Sequence, residues 1–289
     1  RADDCLFASV SLRGLARVLA SFASAPGFRL EVVLKFFSRR KMRSIHLGFK
    51  EREARRQRMH VPEEGTPTRR PVIQVLCGQI DRLIVVASLH NPEFKPGLVD
   101  RLLVLAELER IPAVVVLTKA DLAQCEDWQA WVDLYRGLGY PCHAVSSHTG
   151  QGLEQLADFF GQGRSALCGH SGVGKSSLLS CFCPEGELAV GEVSQATGKG
   201  QHTTTRVRLI RSQNGAEWFD LPGLKLAPLE CSPLEVARCF PDFQPYRGGC
   251  RFRDCLHQDE PGCGVKAACQ SGEISPHRYA SYLRILESL

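Results

Sequence analysis

The sequence predicts an α/β protein with a mostly parallel sheet. Three observations carry that prediction. From residue 72 short β-branched runs alternate with helical stretches, a glycine-rich turn stands between one such strand and the next helix, and a Cys/His-rich tail reads as a small separate module. At 289 residues, 44% of them hydrophobic and 23% charged, the chain has enough apolar side chains for one large core or two to three small ones. No apolar run approaches the roughly 18 to 20 residues of a membrane span, so no membrane segment is expected.

Taken in order, Leu83–Ala87 and Ala113–Leu117 read as buried strands with the helix Pro96–Glu109 between them. Asp127–Leu138 is the next helix and Cys142–Ser146 the third strand. Gly152–Phe160 reads as helix, Ser165–Cys168 as strand, Lys175–Phe182 as helix and Glu217–Phe219 as strand. After Pro228 the chain is irregular and cysteine-rich until a closing helix over Pro276–Leu289.

Residues 1–70 read differently. Leu15, Val18, Leu19 and Phe22 fall on one helical face, Phe28–Phe37 suits one strand or two, and Glu63–Arg70 reads as linker. A core-facing helix is favoured over an organelle transit peptide for the first stretch. The sequence begins at Arg1 and not at a methionine, which leaves the native start open. The net charge of +5 is unevenly placed: residues 1–70 hold 16 Lys/Arg against 7 Asp/Glu, and the rest of the chain holds 20 against 24. Arg39–Arg58 is densest in arginine, which suits a polyanion or a solvated face. Thirteen cysteines, an odd number with no signal-peptide pattern ahead of them, argue against a disulfide-paired secreted scaffold and for a reducing compartment.

Gly169-His170-Ser171-Gly172-Val173-Gly174-Lys175-Ser176, with Ser177 after it, fits G-x-x-x-x-G-K-[ST] and lies between a strand and a helix. Glycines there let successive N–H groups and the helix N-terminus point at phosphate oxygens. Lys175 is placed to reach the β- and γ-phosphates and Ser176 to ligate Mg²⁺. The base is read elsewhere. Thr118-Lys119-Ala120-Asp121 follows the strand Ala113–Leu117. The Asp121 carboxylate can accept both guanine N1–H and the exocyclic amine, which adenine cannot offer, and the Lys119 stem can lie over the base. Ser146 and Ser147, at the end of the next strand, can give backbone N–H groups to guanine O6.

Asp220-Leu221-Pro222-Gly223 reads as the D-x-x-G switch, with Asp220 holding Mg²⁺ through water and the Gly223 amide bonding the γ-phosphate. Gly198–Thr205 lies between it and the P-loop. One of its three threonines, Thr204 by preference, completes the Mg²⁺ shell. Leu224 stands where many GTPases carry the glutamine that orients the attacking water; leucine orients nothing, and His202 is the nearby candidate. In the tail, Cys250, Cys255, His257 and Cys263 offer three thiolates and an imidazole, a tetrahedral Zn²⁺ set with no open position. Cys269 in place of His257 is the alternative set.

The order of these parts, guanine motif first and P-loop after it, is that of a circularly permuted GTPase. With Ser88–Gly97, Leu98–Leu108 and the cysteine tail, it resembles the ribosome small-subunit-dependent GTPase A family, RsgA/YjeQ, over residues 71–289. The resemblance implies three parts: a basic segment 1–70 where the family carries an OB-fold barrel, here divergent, truncated or absent, then a GTPase domain at 71–228 and a zinc-binding α module at 229–289. It also implies GTP/GDP with Mg²⁺, one structural Zn²⁺, slow hydrolysis stimulated by the small (30S) ribosomal subunit, contact with 16S rRNA, and a monomer in the cytoplasm. Two other readings are weighed: a nucleotide-gated RNA-binding scaffold with negligible turnover, motivated by Leu224 and the basic segment, and a P-loop ATPase or kinase.

Overall fold

In chain order the elements are β1 (Val32–Ser38), β2 (Val72–Ile80), β3 (Arg82–Ser88), α1 (Pro96–Glu109), β4 (Ala113–Thr118), α2 (Cys125–Gly137), β5 (Cys142–Val145), α3 (Ala157–Phe160), β6 (Arg164–Cys168), α4 (Lys175–Phe182), β7 (Ala189–Val193), β8 (Val207–Arg211), β9 (Glu217–Asp220), α5 (Pro233–Arg238), α6 (Gly264–Gln270) and α7 (Pro276–Glu287). They belong to a computed structural model that describes residues 32–38, 72–123, 125–183, 189–193, 207–212, 214–221, 229 and 231–289. The expectations for Leu15–Phe22, Arg39–Arg58, the linker, His202, Thr204, Gly223 and Leu224 lie outside the described residues.

Seven strands form the main sheet in the order β5-β4-β3-β6-β9-β8-β7. The first five in that order run parallel, and β8 and β7 continue the sheet as an antiparallel hairpin. The expected mostly parallel sheet is therefore present, with a hairpin that the sequence reading did not separate out. All five parallel strands end at one edge, at Ser88, Thr118, Val145, Cys168 and Asp220. From β3 the chain moves outward through β4 to β5, then returns to lay β6 on the other side of β3. Loops at the carboxyl ends of strands part where the order reverses in this way, which places a crevice beside β3 and β6.

Alternation of side chains explains why the strands read as continuous apolar runs. Leu83, Val85, Val115 and Leu117 face a core that includes Leu102 and Leu103 of α1 and Val132 and Tyr135 of α2. Ile84, Val86, Val114, Val116 and Leu167 face the opposite core, with Leu178, Leu179, Phe160 and Trp218. Burying each such side chain contributes about 1.5–3 kcal/mol. A third cluster joins Val104 of α1 to Phe240, Phe243, Val265, Ile274, Tyr282 and Ile285. Helix α1 therefore lies between the sheet and the C-terminal helices, which is why even its Asp100, Arg101 and Glu109 are buried.

The expected helix over Gly152–Phe160 is a 3₁₀ turn, Leu153–Leu156, followed by the single turn α3. Gly152 is the reason: its φ is +72°, and a Cβ there would meet Ala144 O at 2.6 Å, so the chain enters tightly against β5 and only then turns helical. Helix α5 opens with a capping box that the sequence reading passed over: Ser232 Oγ accepts from Glu235 N–H, and the Glu235 carboxylate accepts from Ser232 N–H. In the N-terminal segment β1 pairs in parallel with β2, and no OB-like barrel is shown among the described residues. No helix of the described residues is long and apolar enough to cross a membrane.

Candidate nucleotide site and metal centre

The P-loop sequence leaves the end of β6 and passes under β3. A Cβ on Gly169 would sit 2.1 Å from Val86 O, so no other residue fits at this crossing. Gly172 and Gly174 adopt φ of +80° and +92°, open to glycine and costly for other residues. Gly174 caps α4 without a side chain, so the first-turn N–H groups of that helix, lacking intrahelical partners, remain for another acceptor. Val173 is buried, whereas His170, Ser171, Ser176 and Ser177 are exposed. His170 Nδ1 lies 2.9 Å from Ser171 O.

Lys175 is buried beneath the loop, where its ammonium donates to Gly169 O at 3.0 Å and His170 O at 3.1 Å. Burial lowers its pKa, and Asp220 and Cys168 oppose the shift. Asp220, at the end of the neighbouring β9, shows the converse. Burial raises its pKa, against the charges of Lys175 and Arg208 and a hydrogen bond from Ser176. Its Oδ1 is buried without a hydrogen-bond partner. A carboxylate oxygen left in that condition beside a hydroxyl is the donor set that a hard cation such as Mg²⁺ takes, so Ser176 and Asp220 fit that ion.

Strand β4 delivers the guanine motif to the same edge. Buried Thr118 Oγ1 lies 2.5 Å from Val173 O and 3.2 Å from Ala87 O, tying the motif to the P-loop and to β3. Lys119 has φ of 61°, and its ammonium donates to Gly172 O at 3.0 Å and to Asn91 O. Ala120 is buried and Asp121 exposed in the 3₁₀ turn that follows. Ser146 is buried, and its hydroxyl accepts from the His148 and Thr149 N–H groups at 3.2 and 3.1 Å. The Ser146 N–H already donates to Gln151 O at 3.0 Å, which leaves it occupied where the sequence reading had it meet a base; its neighbour Ser147 is half-buried. Strands β4, β6 and β9 thus bring Thr118–Asp121, Gly169–Ser176 and Asp220 to one end of the sheet.

A second cluster forms in the tail. One ligand atom each from Cys250, Cys255, His257 and Cys263 lies within 4.8 Å of all the others. His257 Nδ1 is 3.3 Å from Cys263 Sγ and 3.6 Å from Cys250 Sγ, and the two sulfurs are 4.0 Å apart. Zn–S and Zn–N bonds of about 2.3 and 2.0 Å give tetrahedron edges of about 3.8 Å between sulfurs and about 3.5 Å between sulfur and nitrogen, so the four residues fit Zn²⁺. The supporting groups are built around them: the Tyr279 and Tyr282 hydroxyls donate to His257 O and Leu256 O, each at 2.5 Å, and the Glu260 carboxylate accepts from Leu256 and Gln258 N–H at 2.7 and 2.8 Å. The sequence predicts that the closing helix, with Tyr279, Tyr282, Leu283 and Leu286, packs against this module, and it does. Glu260 does not stand out in the sequence, because nothing in its spacing marks the amides it meets.

Topology and site now invite comparison with known proteins. The family model described as RsgA GTPase matches residues 53–230. The chain belongs to the RsgA GTPase family. A protein of Shewanella oneidensis named "Small ribosomal subunit biogenesis GTPase RsgA" is 41% identical over 221 residues, 75% of this chain and 62% of its own length. One of the same name from Gemmatimonas aurantiaca is 41% identical over 217 residues, covering 75% of this chain and 71% of that protein. Among solved structures, YjeQ from Thermotoga maritima superposes with a TM-score of 0.59 at 34% identity, over 72% of this chain and 71% of YjeQ. YloQ, titled a circularly permuted GTPase, gives 0.55 at 32% identity, over 72% and 67%. The strand order seen here, with the guanine motif on β4 ahead of the P-loop after β6, agrees with RsgA family membership and with those permuted structures.

Proposed function

We propose that this protein hydrolyses GTP to GDP on the small (30S) ribosomal subunit during its late maturation. The observation that carries the nucleotide half is the buried Lys175 beside Asp220, whose Oδ1 has no partner, directly under a glycine-built loop. The ribosomal half rests on family membership and on the names of the relatives. Asp121 reads the guanine edge, the Ser147 amide meets O6, and Lys119 lies over the base. Lys175 binds the β- and γ-oxygens. Ser176, Asp220 and Thr204 hold Mg²⁺, which when bound offsets charge on the phosphate oxygens. The Gly223 amide bonds the γ-phosphate, and with Leu224 unable to orient water, His202 or the subunit surface does so.

In this reading residues 71–228 hold the nucleotide, 229–289 hold a structural Zn²⁺, and the basic 1–70 adds contact to 16S rRNA that weakens with salt. The protein acts as a cytoplasmic monomer. Single-turnover hydrolysis with and without small subunits tests the proposal. Acceleration by subunits is expected, and an identical slow rate in both would favour a nucleotide-gated RNA-binding scaffold instead. Asp121→Ala separates the base reading: GTP affinity should fall by about 10⁴ while ATP affinity stays as it was.

A further inference from the structure

Ser88–Lys95, between β3 and α1, belongs to neither nucleotide motif yet touches both. Leu89 N–H donates to Thr118 O at 3.0 Å, and Ser88 Oγ donates to His90 O at 2.5 Å, so the segment leaves the sheet pinned to the strand that carries the guanine motif. Asn91 then turns into the left-handed region, with φ of 47°, and its carbonyl accepts from Lys119 Nζ. The same ammonium donates to Gly172 O of the P-loop. Pro92 follows against that loop, its Cδ 3.8 Å from where a Cβ on Gly172 would lie. Phe94 meets Trp131 of α2 edge-on, with ring centroids 4.9 Å apart, and Trp131 lies 5.2 Å from the His277 ring of α7.

An ammonium has three N–H donors. Two of those on Lys119 are taken by carbonyls from separate segments, which fixes both the end of the side chain and the line of its stem. With Gly172 O alone the amine would remain free to pivot about one bond. We propose that Asn91 is a positioning residue for guanine recognition: its left-handed backbone aims a carbonyl at Lys119, and Phe94 and Trp131 brace the segment that carries it. This rests on the guanine reading of Thr118–Asp121 given above. It places a determinant of base affinity outside the motifs that touch the nucleotide, on a segment linked to α7 of the tail through Trp131 of α2.

The test compares Asn91→Val with Asn91→Gly in the full-length protein, using a fluorescent GDP and the matching ADP as probes and zinc content as the check on the tail. Glycine keeps the left-handed turn at no steric cost, whereas a β-branched residue resists it. The valine variant should bind GDP about tenfold more weakly and discriminate less against ADP, and the glycine variant should stay within about twofold of the unmodified protein. Equal losses in both, or none in either, would overturn the proposal. If the valine variant does not fold, hydrogen exchange on the unmodified protein decides. GDP with Mg²⁺ should slow exchange across residues 89–94 together with 169–177. Slowing at 169–177 alone overturns the role of Asn91, and no slowing at either overturns the guanine reading beneath it.

Discussion

Arg278 Nη1 lies 2.5 Å from Asp100 Oδ1, and neither side chain is more than 2% exposed. The guanidinium also donates to Asp242 through Nη2 at 3.0 Å and Nε at 3.2 Å, lies 4.5 Å from the centre of the Phe240 ring, and shares Asp100 with the Tyr135 hydroxyl. One arginine of the tail thus joins α1, α2 and the 3₁₀ turn at Pro241–Phe243. Arg278→Met should cost about 3–5 kcal/mol in urea denaturation, because it leaves two carboxylates without their cation, one of them fully buried. Adding Asp100→Asn should recover part of that loss; a double variant as unstable as the sum of the two singles would show that the pair is not coupled.

Gly169→Ala puts a methyl where Val86 O already stands. The P-loop must then move off β3, at about 1–3 kcal/mol of folding stability and a larger loss of nucleotide affinity. A titration with fluorescent GDP checks this, and unchanged affinity would remove the close crossing as the reason for glycine.

Cys255→Ser removes one of four ligands and should abolish stoichiometric zinc and loosen α6 and α7 around it. Metal analysis of the purified variant and its thermal midpoint give the readout. A full equivalent of retained zinc would contradict the ligand set and turn attention to Cys269.

Burial pushes the thiols of Cys142 and Cys239 up to about 12, against an ordinary value of 9.0. The folded protein therefore keeps protons that the unfolded chain gives up above about pH 9. Their contribution to stability is whole below that pH and is lost as the pH rises toward 12. Urea midpoints should fall between pH 8 and pH 10.5. At pH 8 iodoacetamide should modify exposed Cys181 well before Cys142 or Cys239, read by peptide mass mapping.

Much of this protein is legible in one dimension because its chemistry is local. Gly169–Ser176 must be contiguous for its amides to converge, Thr118–Asp121 must follow a strand end, and the three cysteines and His257 fall within one short loop region. The β-branched runs around them announce a parallel sheet because strands buried on both faces need no polar alternation. The hairpin β7–β8 was not legible: Ala189–Val193 carries a glycine and too little alternation to separate strand from loop.

By itself, then, the sequence determined the GTPase family, the grouping of Cys250, Cys255, His257 and Cys263, and the order of parts that marks the permuted family. Tertiary structure alone decided which groups serve one another across the fold. Asn91 and Lys119 are far apart in the chain, as are Asp100 and Arg278, and Ser146 N–H is taken by Gln151 O. A carbonyl's partner or a buried charge's counterion is set by how strands and helices pack. No periodicity or spacing in the chain encodes that directly.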